Sequence, residues 1–121
     1  MGSRANVVIH MKENNHGDVV CLYTHHGAEQ LAPDVAEWLS QVPYERHTDP
    51  PYLARMLFCR MVADDPMGSK DYGIDTSECG DADGPAVHVY PWSRQCVEYD
   101  GRLFDFDEFI ASAGGRLEQD A

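Results

Sequence analysis

The sequence predicts an α+β domain: an antiparallel sheet of about five strands, in the order ββααβββα, with its helices packed mainly on one face. Three observations predict it. Residues 19–23, VVCLY, are apolar on both faces of a period-two ribbon, the pattern of a strand covered on both sides. The period then lengthens to that of a helix for two successive segments. After residue 71 short alternating runs return, broken by Gly, Pro and Asp.

The elements follow in order. Val7, Ile9 and Met11 alternate with Val8 and His10 as a first strand. Residues 12–18, KENNHGD, hold the Asn, Gly and Asp of a reversing loop, so the first strand should pair antiparallel with residues 19–23. That second strand is expected at the centre of the sheet. Val35, Trp38, Leu39 and Val42 recur at i, i+3, i+4 and i+7, a helical stripe that starts near Pro33 and stops by Pro43. Asp49 and Pro50 are a cap and a first helical residue for a second helix over residues 51–63. Apolar side chains cover most of its circumference except at Arg55 and Arg60, so it should be the most buried helix.

The second half reads as strands over residues 72–78, 86–90 and 95–99, with a brief return over 102–104. Gly73 marks a bulge or a close approach of another backbone. Asp100-Gly101 is a hairpin turn. Asp105 and Glu108 form a D-x-x-E capping box, with Phe104 and Phe109 placed as a hydrophobic staple, and Gly114-Gly115 ends the last helix. Residues 1–115 are thus expected as one domain and 116–121 as a loose tail.

Composition bounds the function. The 121 residues are 43% hydrophobic and 25% charged, the proportions of an ordinary globular domain. No apolar run reaches the roughly 18 residues of a membrane span, and the N-terminus lacks the basic and apolar regions of a signal peptide, so a cytoplasmic location is expected. The net charge of −12 repels phosphate backbones and anionic lipid, which argues against direct nucleic-acid or membrane binding and favours a basic protein partner. Cys21, Cys59, Cys79 and Cys96 show no CxxC pairing; buried reduced thiols are expected at Cys21, Cys59 and Cys96.

Met1-Gly2-Ser3-Arg4 ahead of Val7-Val8-Ile9, then Tyr23-Thr24-His25-His26-Gly27, then Tyr72-Gly73-Ile74-Asp75-Thr76, together resemble a loose group of uncharacterised small phage and actinobacterial proteins. Those proteins begin Met-Gly-[Thr/Ser]-Arg and carry a Tyr-x-His-x-x-Gly segment, with Trp commoner at the position of His26. The resemblance implies a phage or prophage context, hence a host-cell cytoplasm, and transfers no active site.

Five carboxylates, Asp71, Asp75, Glu78, Asp81 and Asp83, follow one another without an intervening Lys or Arg. Such a run is commonly solvated surface. Presented on a rigid sheet edge, it could instead mimic nucleic-acid phosphates and dock in a basic groove. Asp81-Ala82-Asp83-Gly84 lacks the later oxygen ligands and terminal Glu of an EF-hand. His25 and His26 are the candidates for general-base or metal chemistry, because imidazole titrates near neutrality and a strand end fixes its direction. Neighbours on a strand point to opposite faces, which opposes a shared centre. His10, Cys21, His25 and His88 could meet as a metal site across adjacent strands, although their spacing does not demand it. No nucleophile elbow, phosphate loop or H-E-x-x-H helix is present.

The leading expectation is a small acidic phage-type binding protein that docks on a basic host protein, as an inhibitor of a defence or nucleic-acid-handling complex, with no cofactor. One alternative is a small metal-dependent or His-dependent enzyme centred on His25 and His26. A second is a homo-oligomeric structural protein using an open sheet edge.

Overall fold

The structure, a computed structural model, describes residues 4–12, 15–25, 28–63, 72–76, 85–91 and 95–112. Its elements are β1 (Ala5–Lys12), β2 (Asn15–Thr24), α1 (Ala28–Gln41), a 3-10 turn (Tyr44–Arg46), α2 (Pro50–Met61), β3 (Tyr72–Asp75), β4 (Val87–Tyr90), β5 (Cys96–Tyr99), β6 (Arg102–Asp105) and α3 (Phe106–Ala111). The six strands form one sheet in the order β3-β2-β1-β4-β5-β6.

The α+β class and the helices on one face agree with the sequence; the sheet itself differs. It has six strands and is mixed, because β1 and β4 run parallel, Val7 to Ile9 lying beside Val87 to Val89. Every other pairing is antiparallel. β3 pairs antiparallel with β2 and β2 antiparallel with β1, so β3 and β4 both run with β1. Hydrophobic alternation records which face a residue takes and carries no information about direction.

The centre also moves. β1 lies between β2 and β4 and is buried from Ala5 to His10, whereas β2 is next to the edge strand β3. Ala5, Val7 and Ile9 of β1, Leu22 of β2, Val87 and Val89 of β4, Val97 of β5 and Phe104 of β6 make the face on which the helices pack. The helices contribute Leu31, Val35 and Leu39 from α1, Leu53 and Leu57 from α2, and Phe106 and Phe109 from α3. Removing this much aliphatic and aromatic surface from water is the main favourable term for the fold. The opposite face carries a smaller buried group, Val8, Val19 and Cys21.

α1 begins before Pro33 and contains it. Proline there forgoes one intrahelical hydrogen bond near the N-terminus, and the stripe Val35, Ala36 and Leu39, all buried, holds the helix in place. α2 is less buried than its composition suggests: Leu53, Ala54, Leu57 and Met61 face the core while Cys59 is exposed. Asp49 occupies the N-cap of α2 but its side chain does not cap; it accepts from Arg46 at 3.2 Å instead. α3 has its capping box complete, Asp105 accepting from the Glu108 backbone at 2.7 Å and Glu108 from the Asp105 backbone at 2.9 Å. The Phe104 and Phe109 rings meet edge to face at 5.4 Å, the expected staple. Asp100 and Gly101 both take positive φ, 53° and 76°, and turn β5 into β6 with Tyr99 opposite Arg102. The Gly114-Gly115 stop and the tail over 116–121 lie outside the described residues. Among the described residues no helix is long and apolar enough to cross a membrane.

Candidate functional site

Residues directly opposite one another in a ladder share a face, so the register assigns the face away from the helices. Val8 lies between Cys21 and His88, His88 opposite Glu98, and Tyr90 opposite Cys96. His10, two residues after Val8, joins them. Its Nε2 is 3.0 Å from Nδ1 of His88, its ring stacks on Tyr90 with centroids 4.3 Å apart, and the Tyr90 hydroxyl donates to Glu98 at 3.3 Å. One imidazole of the pair must donate and the other accept. The result is a polar chain across β1, β4 and β5 that ties the parallel ladder together on the side without helices.

His10 is only 4% exposed, so its chemistry is turned inward. Cys21 is buried on the same face, one strand away. His25 is exposed beyond the end of β2 and stacks on Tyr23, with centroids 5.5 Å apart. The structure therefore brings together two of the four residues weighed as metal ligands, His10 and His88. Among the described residues no three His, Cys, Asp or Glu groups are placed to hold one ion. His26 lies outside the described residues, as does Cys79.

The acidic run reaches the described residues at Asp75 alone; Asp71, Glu78, Asp81 and Asp83 lie outside them. Asp75 is the last residue of β3, exposed, with its carboxylate accepting from the Thr76 backbone at 2.6 Å. β3 is one edge of the sheet. Its Tyr72 and Ile74 are 42% and 55% exposed, large apolar side chains on an edge strand beside an exposed carboxylate. Gly73 lies opposite Tyr23, whose ring covers it so closely that a Cβ there would collide with the phenol. The close approach expected at Gly73 is thus made by a side chain, not by backbone.

Tyr90 and Glu98 belong to this cluster although no sequence motif marks them. The alternation His88-Val89-Tyr90 places both polar rings on one face, a signal that was present; their meeting with His10 depends on the parallel β1–β4 pairing, which was not. No protein-family model matches the chain, and neither a curated protein nor a solved structure matches it.

Proposed function

We propose that this protein is a small, acidic, non-enzymatic binding protein of phage type that docks on a basic host protein through the β3 edge and the carboxylates that flank it. One observation carries the reading. Asp75 is exposed on an edge strand beside Tyr72 and Ile74, in a chain with 21 acids against nine Lys and Arg. The β3 edge carries Tyr72 and Ile74 on the face shared with Leu22 and the Asp75 carboxylate on the face shared with Cys21: in this reading the apolar residues supply area and the acidic charge steers a basic partner into register. A host defence or nucleic-acid-handling complex presents such a basic groove, and occupation of it would inhibit. Cytoplasm of the host cell is the compartment this reading requires.

The test is a comparison of captured partners. Wild-type protein and a variant with Asp71, Asp75, Asp81 and Asp83 changed to Asn and Glu78 to Gln are each used as bait in host lysate. A basic partner that is released from the wild type between about 0.05 and 0.3 M salt, and is absent with the variant, supports the reading. Retention of that partner by the variant removes the acidic edge from it.

A further inference from the structure

We infer that the cleft between α1 and α2 binds a small amphipathic anion, an aromatic or aliphatic body bearing a carboxylate or sulfonate. The cleft holds about 300 Å³, at the lower end of the range of small-ligand sites. Trp38 and Gln41 of α1 and Arg55, Met56, Cys59 and Arg60 of α2 line it. The indole, the thioether and the Cys59 thiol give an apolar, polarisable wall suited to a ring or short chain.

Among the described residues the charge lining the cleft is the reverse of the charge of the molecule. The chain has more than twice as many acids as Lys plus Arg, yet both ionic side chains at this cleft are arginines, and no carboxylate among the described residues lines it. Other cations are engaged locally: Lys12 pairs with Asp18, and Arg46 pairs with Asp49 and lies over the Tyr52 ring. Among the described residues Arg55 and Arg60 make no ion pair. Arg55 also has no acid three or four residues away on its helix, since Pro51, Tyr52, Phe58 and Cys59 occupy those positions. Guanidinium groups are planar forks that bind a carboxylate through two parallel N–H donors and stack on an aromatic body, so two of them over an apolar floor select a flat anion over a neutral ring.

The site lies on other elements than the acidic edge and stands or falls independently of the docking reading. Cys59 supplies the readout, because it is exposed whereas Cys21 and Cys96 are buried. In a Cys79→Ser background, the rate of Cys59 alkylation by iodoacetamide is measured with 2-naphthoate, with neutral 2-acetylnaphthalene and with inorganic phosphate. At tenfold the dissociation constant, 2-naphthoate is expected to slow alkylation about tenfold by occupancy alone. The neutral ring and phosphate are expected to leave the rate unchanged. The Arg55→Gln/Arg60→Gln variant should lose the protection while its thermal unfolding in about 0.3 M salt, where the added net negative charge is screened, stays close to that of the parent, since both side chains are on the surface. Equal protection by the neutral ring, protection by phosphate alone, or no protection by millimolar 2-naphthoate overturns the inference. So does protection that rises with protein concentration in the absence of probe, which would place a second copy in the cleft.

Discussion

Gly73 shows how one missing methyl group organises an edge. Its hydrogen leaves the space that the Tyr23 phenol fills, and that ring in turn stacks on His25. Gly73→Ala would push the ring off the strand, a packing change expected to cost about 1–3 kcal/mol. In Tyr23→Ala the same substitution meets no ring and should cost nothing or stabilise slightly, so the coupling in a double-mutant cycle of urea midpoints checks the contact. Tyr99 is a second residue whose surroundings have a measurable consequence. Burial, and then the Asp100 carboxylate beside it, push its hydroxyl above the ordinary value of 10.0. A raised folded-state pKa means that the neutral phenol is favoured in the native protein. Its contribution is complete below pH 10.0 and is lost as pH rises through the folded value. Tyr99→Phe should therefore flatten the alkaline fall in stability relative to wild type, and Asp100→Asn, which removes one of the two causes of the shift while keeping the left-handed turn that Asn tolerates, should make that fall smaller with its onset unchanged. Identical pH profiles for wild type and Tyr99→Phe would show that the shift has no weight in stability.

Helix α3 (six residues) is the shortest α-helix among the described residues, and its N-terminus is held by a capping box. Asp105→Ala removes the acceptor for the Glu108 backbone N–H while the Glu108 side chain keeps its bond from the backbone N–H of residue 105, an expected loss of about 1 kcal/mol measured by chemical denaturation. Glu108→Gln retains an acceptor and should cost less. Local chemistry of this kind was legible: the capping box, the Phe104–Phe109 staple and the Asp100-Gly101 turn each follow from residues within a few positions of one another. Relations across the chain were not. The parallel β4 needs two strands far apart in sequence to run the same way, and neither Val87 nor Val89 encodes that. α1 starts ahead of the expected position: Pro33 reads as a first-turn residue, while tertiary burial of Leu31 and Ala32 extends the helix ahead of it. Cys59 was expected inside because its neighbours on α2 are apolar; a helix with one buried stripe still exposes the other side. For the candidate surface, composition gave the acidic run, but only the sheet order revealed that Asp75 belongs to an edge strand.

At the scale of the whole molecule the charge of −12 acts on stability as well as on partners. Like charges held on one compact surface repel more than the same charges on an expanded chain, so the native state carries an electrostatic cost that salt screens. The melting temperature should rise as sodium chloride goes from about 10 mM to about 0.3 M, a range over which the screening length falls several-fold. Neutralising Asp71, Asp75, Glu78, Asp81 and Asp83 changes the net charge from −12 to −7, because five negative charges are removed from the total. That variant should melt higher than wild type at low salt and respond less to added salt. This outcome bears directly on the docking test: a variant that is folded and more stable, yet loses its basic partner, has lost a surface and not a structure. If its melting temperature is instead lower at every salt concentration, the carboxylates hold the fold by specific contacts, and loss of the partner would no longer identify the β3 edge as the surface that binds.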